Sequence, residues 1–197
     1  MVDFPKSRWI NDWGIEKSNS ESLHNLIIKN KPKVILETGT FEAQATYVMA
    51  QAAHNNNNNC IIYTIDYDGD PTTNLDKDKW LLLKKIRDEN LNKIKDKFGN
   101  VKVNFIDGDS RIVLKELVKH LKKIDLFYQD SMHFYEGIKA EWQIVESSIT
   151  TNGIVIFDDL KLKGVKSFRD WFKLKYKKKY SYSEITTGHK QFIIKRN

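Results

Sequence analysis

Short apolar runs alternate along this chain with longer stretches in which apolar positions recur every three or four residues. The runs "KVILE" (33–37), "CIIYTID" (60–66), "VKVNFI" (101–106), "IDLFYQD" (124–130) and "NGIVIFDD" (152–159) are short and rich in β-branched and aromatic residues. They predict strands buried on both faces, and Pro32 enforces an extended start to the first. Helical patterns lie between them. Ser18 and Glu21 have the spacing of a capping box, with Leu23, Leu26 and Ile27 following at helical intervals. A second helix, 42–53, runs into the asparagine tract at 54–59, which reads as a solvated loop. Trp80, Leu83, Ile86, Leu91, Ile94 and Phe98 mark a long third helix after the polar loop 67–78. Leu114, Leu117, Val118 and Leu121 form the apolar stripe of a fourth. Two more helices are predicted, over 135–148 and 164–178. The closing runs "YSYSEIT" and "KQFIIKR" flank a turn at Gly188 and His189 and predict a β-hairpin.

Five strand–helix alternations followed by a hairpin define an α/β fold. The expected architecture is a Rossmann-like three-layer sandwich with a seven-stranded, mostly parallel sheet and a C-terminal antiparallel hairpin. Residues 20–197 form one domain in this reading, with no linker and no internal repeat. Ligands of such open sheets sit at the carboxyl ends of the strands. Nearly every predicted strand here ends in an acid: Glu37, Asp66, Asp107 with Asp109, Asp130, and Asp158 with Asp159. A fold alone does not require that. Helix capping explains one acid per site, with Asp130 before the helix near Tyr135 and Asp158 or Asp159 before the next segment. It does not explain why Asp66, Asp109, Asp130 and Asp158 share one edge of the sheet.

Two nucleotide motifs are excluded. A G-x-G-x-x-G pattern laid on Gly39 needs glycine where Phe41 and Gln44 stand, and no G-x-x-x-x-G-K-[ST] occurs. The pattern that remains resembles the class I methyltransferases that use S-adenosylmethionine. More narrowly, "LETGTFEAQAT", "FIDGDS", "DLFYQDSMHFYEG" and "NGIVIFDD", in that order, resemble the small-molecule O-methyltransferases, which include relatives of the macrolide-sugar enzymes and, more distantly, catechol O-methyltransferase.

The resemblance implies a role for each residue. Gly39 and its neighbours Thr40 and Phe41 form the cofactor turn, with Gly39 letting the backbone pass close to the cofactor. The following helix N-terminus suits the methionine carboxylate. Glu37 engages the amino-acid part of the cofactor. Asp66 accepts from both ribose hydroxyls, and Tyr67 lies against the adenine. Asp109, with Ser110 beside it, accepts from the adenine amino group, and Asp130 closes the cofactor site. Phe41 and Ala43 depart from the commonest family turn, G-x-G-x-G; the branch with an aromatic after "GT" tolerates Phe41 but usually keeps glycine at 43.

Methyl transfer from a sulfonium is an in-line displacement, so the protein chiefly positions the reactants. The resemblance places a divalent metal, with Mg²⁺ as the hard ion that carboxylates suit, on Asp130, Asp158 and Asp159. It makes His133, three residues beyond Asp130, the general base for a small-molecule hydroxyl acceptor. Two rival readings stand beside it. Residues 161–179 hold eight lysines and Arg169 against Asp170, interleaved with Phe168, Trp171, Phe172 and Tyr176, a mixture that can bind RNA. The missing glycines suggest instead a non-catalytic binding protein on the same fold.

Composition changes this picture little. The net charge of +7 comes from 33 basic residues of which five are arginine, and the lysines are spread along the chain as a solvated coat. No run approaches the roughly 18 apolar residues of a membrane span, and the start of the chain lacks the pattern of a signal peptide. With Cys60 as the single cysteine, a cytoplasmic protein is expected, without membrane association. Residues 1–19 carry Phe4, Trp9, Ile10 and Trp13, and are expected to form a lid over the substrate side.

Overall fold

A computed structural model describes residues 17–57, 59–68 and 77–197. The aromatic residues of the expected lid, and most of the loop before the third helix, lie outside them. In chain order the elements are α1 (Lys17–Asn30), β1 (Val34–Thr38), α2 (Gln44–Asn55), β2 (Cys60–Asp66), α3 (Lys77–Lys97), β3 (Val101–Asp107) and α4 (Ser110–Leu121). Then follow β4 (Ile124–Gln129), α5 (Tyr135–Val145), a 3-10 turn (Glu146–Ser148), β5 (Ile149–Phe157), α6 (Lys163–Lys175), β6 (Tyr180–Ile185) and β7 (Gln191–Arg196).

The strands form one sheet of order β3-β2-β1-β4-β5-β7-β6, parallel except for β7, which runs antiparallel to β5 and β6. Alternate residues of each strand serve opposite layers. Ile35, Leu126, Tyr128, Ile154 and Ile156 face α1, α2 and α3. Leu36, Phe127, Val155 and Phe157 face α4, α5 and α6. Strands buried on both sides must be apolar at nearly every position, which is why the sequence runs are continuous rather than alternating.

Order reverses between β1 and β4. The helix after β1 covers one face and the helix after β4 the other, so a crevice opens at their carboxyl ends. Two local expectations change. Ser18 lies inside α1 with its hydroxyl toward Asn19 Oδ1 at 3.4 Å, and Glu21 faces Lys17, so no capping box forms. The fifth strand starts three residues early, at Ile149, because Ile149 pairs with Ile124 across a bulge.

Candidate active site

The turn between β1 and α2 is left-handed at every second residue: Gly39, Phe41 and Ala43 have φ of 91°, 46° and 59°. These are the positions at which the G-x-G-x-G turn carries glycine, so the backbone path survives without two of the glycines. Gly39 is required by the protein itself. A Cβ there would overlap the Asp130 carbonyl and stand 2.9 Å from Ser131 N. The turns after β1 and β4 therefore touch across the crevice, and Asp130 N also donates to Thr38 O at 2.9 Å.

Asp66, at the end of β2, clamps this turn. Its carboxylate accepts from Phe41 N at 2.6 Å and from Tyr67 N at 2.8 Å. Burial raises its pKa, against the lowering effect of those two amides. Thr40 is buried, with its hydroxyl 2.5 Å from that of Thr64. Tyr67 is 52% exposed, so its ring is free to meet a ligand beside Asp66.

Glu37 lies beneath the turn, fully buried. Oε2 accepts from Thr46 on α2 at 2.5 Å, while Oε1 has no partner. Burial pushes its pKa up to about 8, the Thr46 and Thr64 hydroxyls opposing and the Asp130 and Asp66 charges adding to the rise. Glu37 is therefore largely protonated at neutral pH. Asp109 is the N-cap of α4. It accepts from Arg111 N at 2.9 Å and pairs with the Arg111 guanidinium at 2.6 Å, which lowers its pKa. Capping thus accounts for Asp109. It does not account for the other acids, because α5 and α6 are capped by Phe134 and Leu162 without a side-chain bond.

Beyond β4 the chain brings Asp130, His133 and Asp159 together, with ligand-type atoms within 4.8 Å of one another. His133 Nε2 is 3.4 Å from Asp130 Oδ1 and 3.4 Å from Asp159 Oδ2, and is itself buried between them. The three side chains as wholes are 27–29% exposed. Burial and the nearby Asp158 carboxylate push Asp130 up to about 7. His133 is raised as well: burial opposes its charge, but Asp130, Asp159 and Asp158 together outweigh it. Gly164 allows this packing, since a Cβ at the start of α6 would stand 2.6 Å from Phe134 Cα.

Asp158 lies beside Asp130 but is buried. It is 2% exposed, and its oxygens accept from Gln191 Nε2 at 3.0 Å, Asn19 Nδ2 at 3.4 Å and Tyr128 Oη at 3.1 Å. The groups within reach of one another at the crevice are thus Asp130, His133 and Asp159, with Asp158 behind Asp130.

Two participants escaped sequence reasoning. His189, in the hairpin turn, has Nδ1 3.5 Å from Asp159 Oδ1. Glu141 on α5 is fully buried and accepts from Thr38 Oγ1 at 3.2 Å, from Ser131 Oγ at 2.7 Å and from the Ser110 hydroxyl. Burial raises its pKa against those three hydroxyls. Its signal was present: an acid on the apolar face defined by Ile138, Trp142 and Val145.

The aromatic residues of α6 that could have stacked on RNA bases belong to the core. Phe168 and Phe172 are fully buried, and Lys173 and Lys179 pair with Glu184 and Glu146. Among the described residues, no helix is long and apolar enough to cross a membrane.

A doubly wound sheet with this strand order, a left-handed turn after β1 and an acid below and beside it defines the class I methyltransferases dependent on S-adenosylmethionine. The chain belongs to the methyltransferase-domain family, whose model matches residues 36–160. Solved structures agree on the fold. An O-methyltransferase from Bacillus cereus, in complex with S-adenosylhomocysteine, superposes with a TM-score of 0.71 at 13% identity, over 95% of this chain and 84% of that one. The O-methyltransferase TomG from Streptomyces achromogenes, in complex with S-adenosylmethionine, gives 0.71 at 14%, over 94% and 82%. The S-adenosylhomocysteine-bound methyltransferase PaMTH1 from Podospora anserina gives 0.71 at 15%, over 94% and 81%. No curated protein matches the sequence.

Proposed function

We propose that the protein methylates a hydroxyl of a small molecule, using S-adenosylmethionine at the β1–β4 crevice and a divalent cation beside it. The observation that carries this reading is the cluster of Asp130, His133 and Asp159 directly against the cofactor turn. When bound, S-adenosylmethionine supplies the methyl group as a sulfonium leaving group. The backbone of residues 39–43 and the start of α2 would hold its amino-acid end, and Asp66 and Tyr67 its nucleoside.

The trio fits a metal by its donor chemistry, two carboxylates and an imidazole whose ligand-type atoms lie within 4.8 Å of one another. Two carboxylates suit Mg²⁺, and an imidazole nearby widens the set to Mn²⁺. When bound, such an ion lowers the pKa of an acceptor hydroxyl and orients it. Asp130 and Asp159 would hold it. His133 would take the acceptor's proton, and the Asp130 and Asp159 carboxylates beside its ring would stabilise the imidazolium that results. Phe134 and Leu162, 55% and 43% exposed, offer apolar contact to the acceptor at the mouth of the site.

The test is S-adenosylhomocysteine production from S-adenosylmethionine with a panel of phenols, catechols and sugars, in Mg²⁺, Mn²⁺ or EDTA. A hydroxyl acceptor should turn over, EDTA should stop it, and His133→Ala should lower turnover by about 100-fold or more. Full turnover in EDTA would remove the metal from the mechanism. Turnover of RNA alone would replace the acceptor class.

A further inference from the structure

We infer that Glu141 is a positioning residue for the cofactor pocket: a single buried carboxyl that ties together the turn after β1, the turn after β4 and the start of α4. Each of its three hydroxyl donors adjoins a residue placed in the site. Thr38 precedes Gly39, Ser110 follows Asp109, and Ser131 follows Asp130. These segments follow β1, β3 and β4, whose ladders end at the sheet edge, so beyond it Glu141 adds a side-chain link among all three.

Glu141 can hold them because its own helix is fixed. Ile138, Trp142 and Val145, on the same face of α5, are all fully buried. The carboxyl shape matters too. Its two oxygens offer about four acceptor sites, enough for three donors at once. Oε1 takes Ser110 and Ser131, and Oε2 takes Thr38, while the Gln129 amide beside the carboxyl also holds Met132 O at 2.8 Å. Its hydroxyl partners are the pocket's own turns.

This inference rests on the reading that the crevice binds S-adenosylmethionine. The experiment is calorimetric titration of S-adenosylhomocysteine into wild type, Glu141→Gln, Glu141→Ala and Ile194→Ala. Glutamine keeps the shape and two acceptor lone pairs, so affinity should stay within about threefold of wild type. Alanine releases three turns at once and should weaken binding about tenfold or more, since small misplacements cost orders of magnitude. Ile194→Ala, a core truncation in β7, should lower Tm and leave Kd unchanged. If Glu141→Ala does not fold, Thr38→Val/Ser131→Ala removes two of the donors without opening a cavity, and should weaken binding about threefold or more.

Wild-type affinity in folded Glu141→Ala, or in the double variant, would overturn the positioning role and leave only a structural one. Wild-type protein that binds neither S-adenosylhomocysteine nor S-adenosylmethionine would overturn the cofactor reading, and this inference with it.

Discussion

Glu37→Gln should destabilise the cofactor-free protein modestly at low pH and stabilise it at high pH. Glu37 is sealed beneath the cofactor turn with one oxygen on Thr46 and the other unpartnered. Charging a carboxyl in that place costs more than charging it in the unfolded chain, where water surrounds it. A rise from 4.5 to about 8 corresponds to about 5 kcal/mol. The sign follows from proton binding. The folded state holds the proton more tightly, so this group's contribution is most favourable below 4.5. It is lost progressively as pH climbs to about 8, and is constant above.

Glutamine cannot titrate and resembles the protonated acid in shape. Its amide would put a donor where Oε1 has no partner, a cost of about 1–3 kcal/mol at every pH. Urea unfolding of wild type and variant at pH 5 and pH 8.5 isolates the titration, because other groups enter both proteins alike and largely cancel in the difference. Between those two pH values the variant should gain several kcal/mol on wild type. An identical stability difference at both pH values would refute the reasoning, since it would mean that Glu37 does not change its proton on unfolding in this range.

Other consequences follow from the same crevice. Ala43→Gly relieves a left-handed conformation of about 1–2 kcal/mol but loses a buried methyl of about 0.8, so it should be nearly neutral. Ala50→Gly, buried in the interior of α2, should cost about 2 kcal/mol by urea unfolding; equal losses would deny the left-handed geometry at 43. Gly39→Ala drives a methyl into the Asp130 carbonyl and should lower Tm sharply and abolish cofactor binding in titration calorimetry; a wild-type Tm would contradict the contact. Asp159→Asn should weaken Mn²⁺ binding measured by electron paramagnetic resonance. Asp158→Asn should leave that affinity intact and cost about 1–3 kcal/mol of stability through Tyr128 and Gln191. Equal loss of Mn²⁺ affinity in both would restore Asp158 as a ligand.

The fold was largely legible because strands covered on both sides leave a strong mark. "VILE" and "IVIF" are apolar at nearly every position, and only a sheet between two helical layers needs that. The strand-end acids were legible for a different reason: a charge directly after an apolar run stands out. Their assignments were not. "DD" at 158–159 reads as two equivalent carboxylates, yet the backbone turns between them, Asp159 having φ of 55°. One carboxyl enters the interior toward Tyr128 and the other faces His133. Glu141 and His189 were missed because what matters about them is which distant turns they meet. Thr38 is 103 residues from Glu141, and no local pattern encodes that pairing.

The glycines of the cofactor turn show what a motif records. A glycine pattern reports where the backbone is left-handed, and it does so through the residue that adopts such a conformation without cost. Phe41 and Ala43 adopt it with cost, on the order of 1–2 kcal/mol each. Something must offset that, and the structure contains it. The Phe41 amide donates to the Asp66 carboxylate at 2.6 Å, a bond to a charged group of about 1.5–3 kcal/mol. The Ala43 amide donates to Thr40 O at 2.7 Å, and Ala43 O starts the α2 ladder at Tyr47. Its methyl is fully buried, which returns about 0.8 kcal/mol that glycine would forgo. The turn is thus held by its neighbours rather than by its own freedom. Under the proposed function Asp66 has two tasks, bracing the turn and holding the nucleoside, and its loss should damage the pocket more than the loss of one ligand contact would.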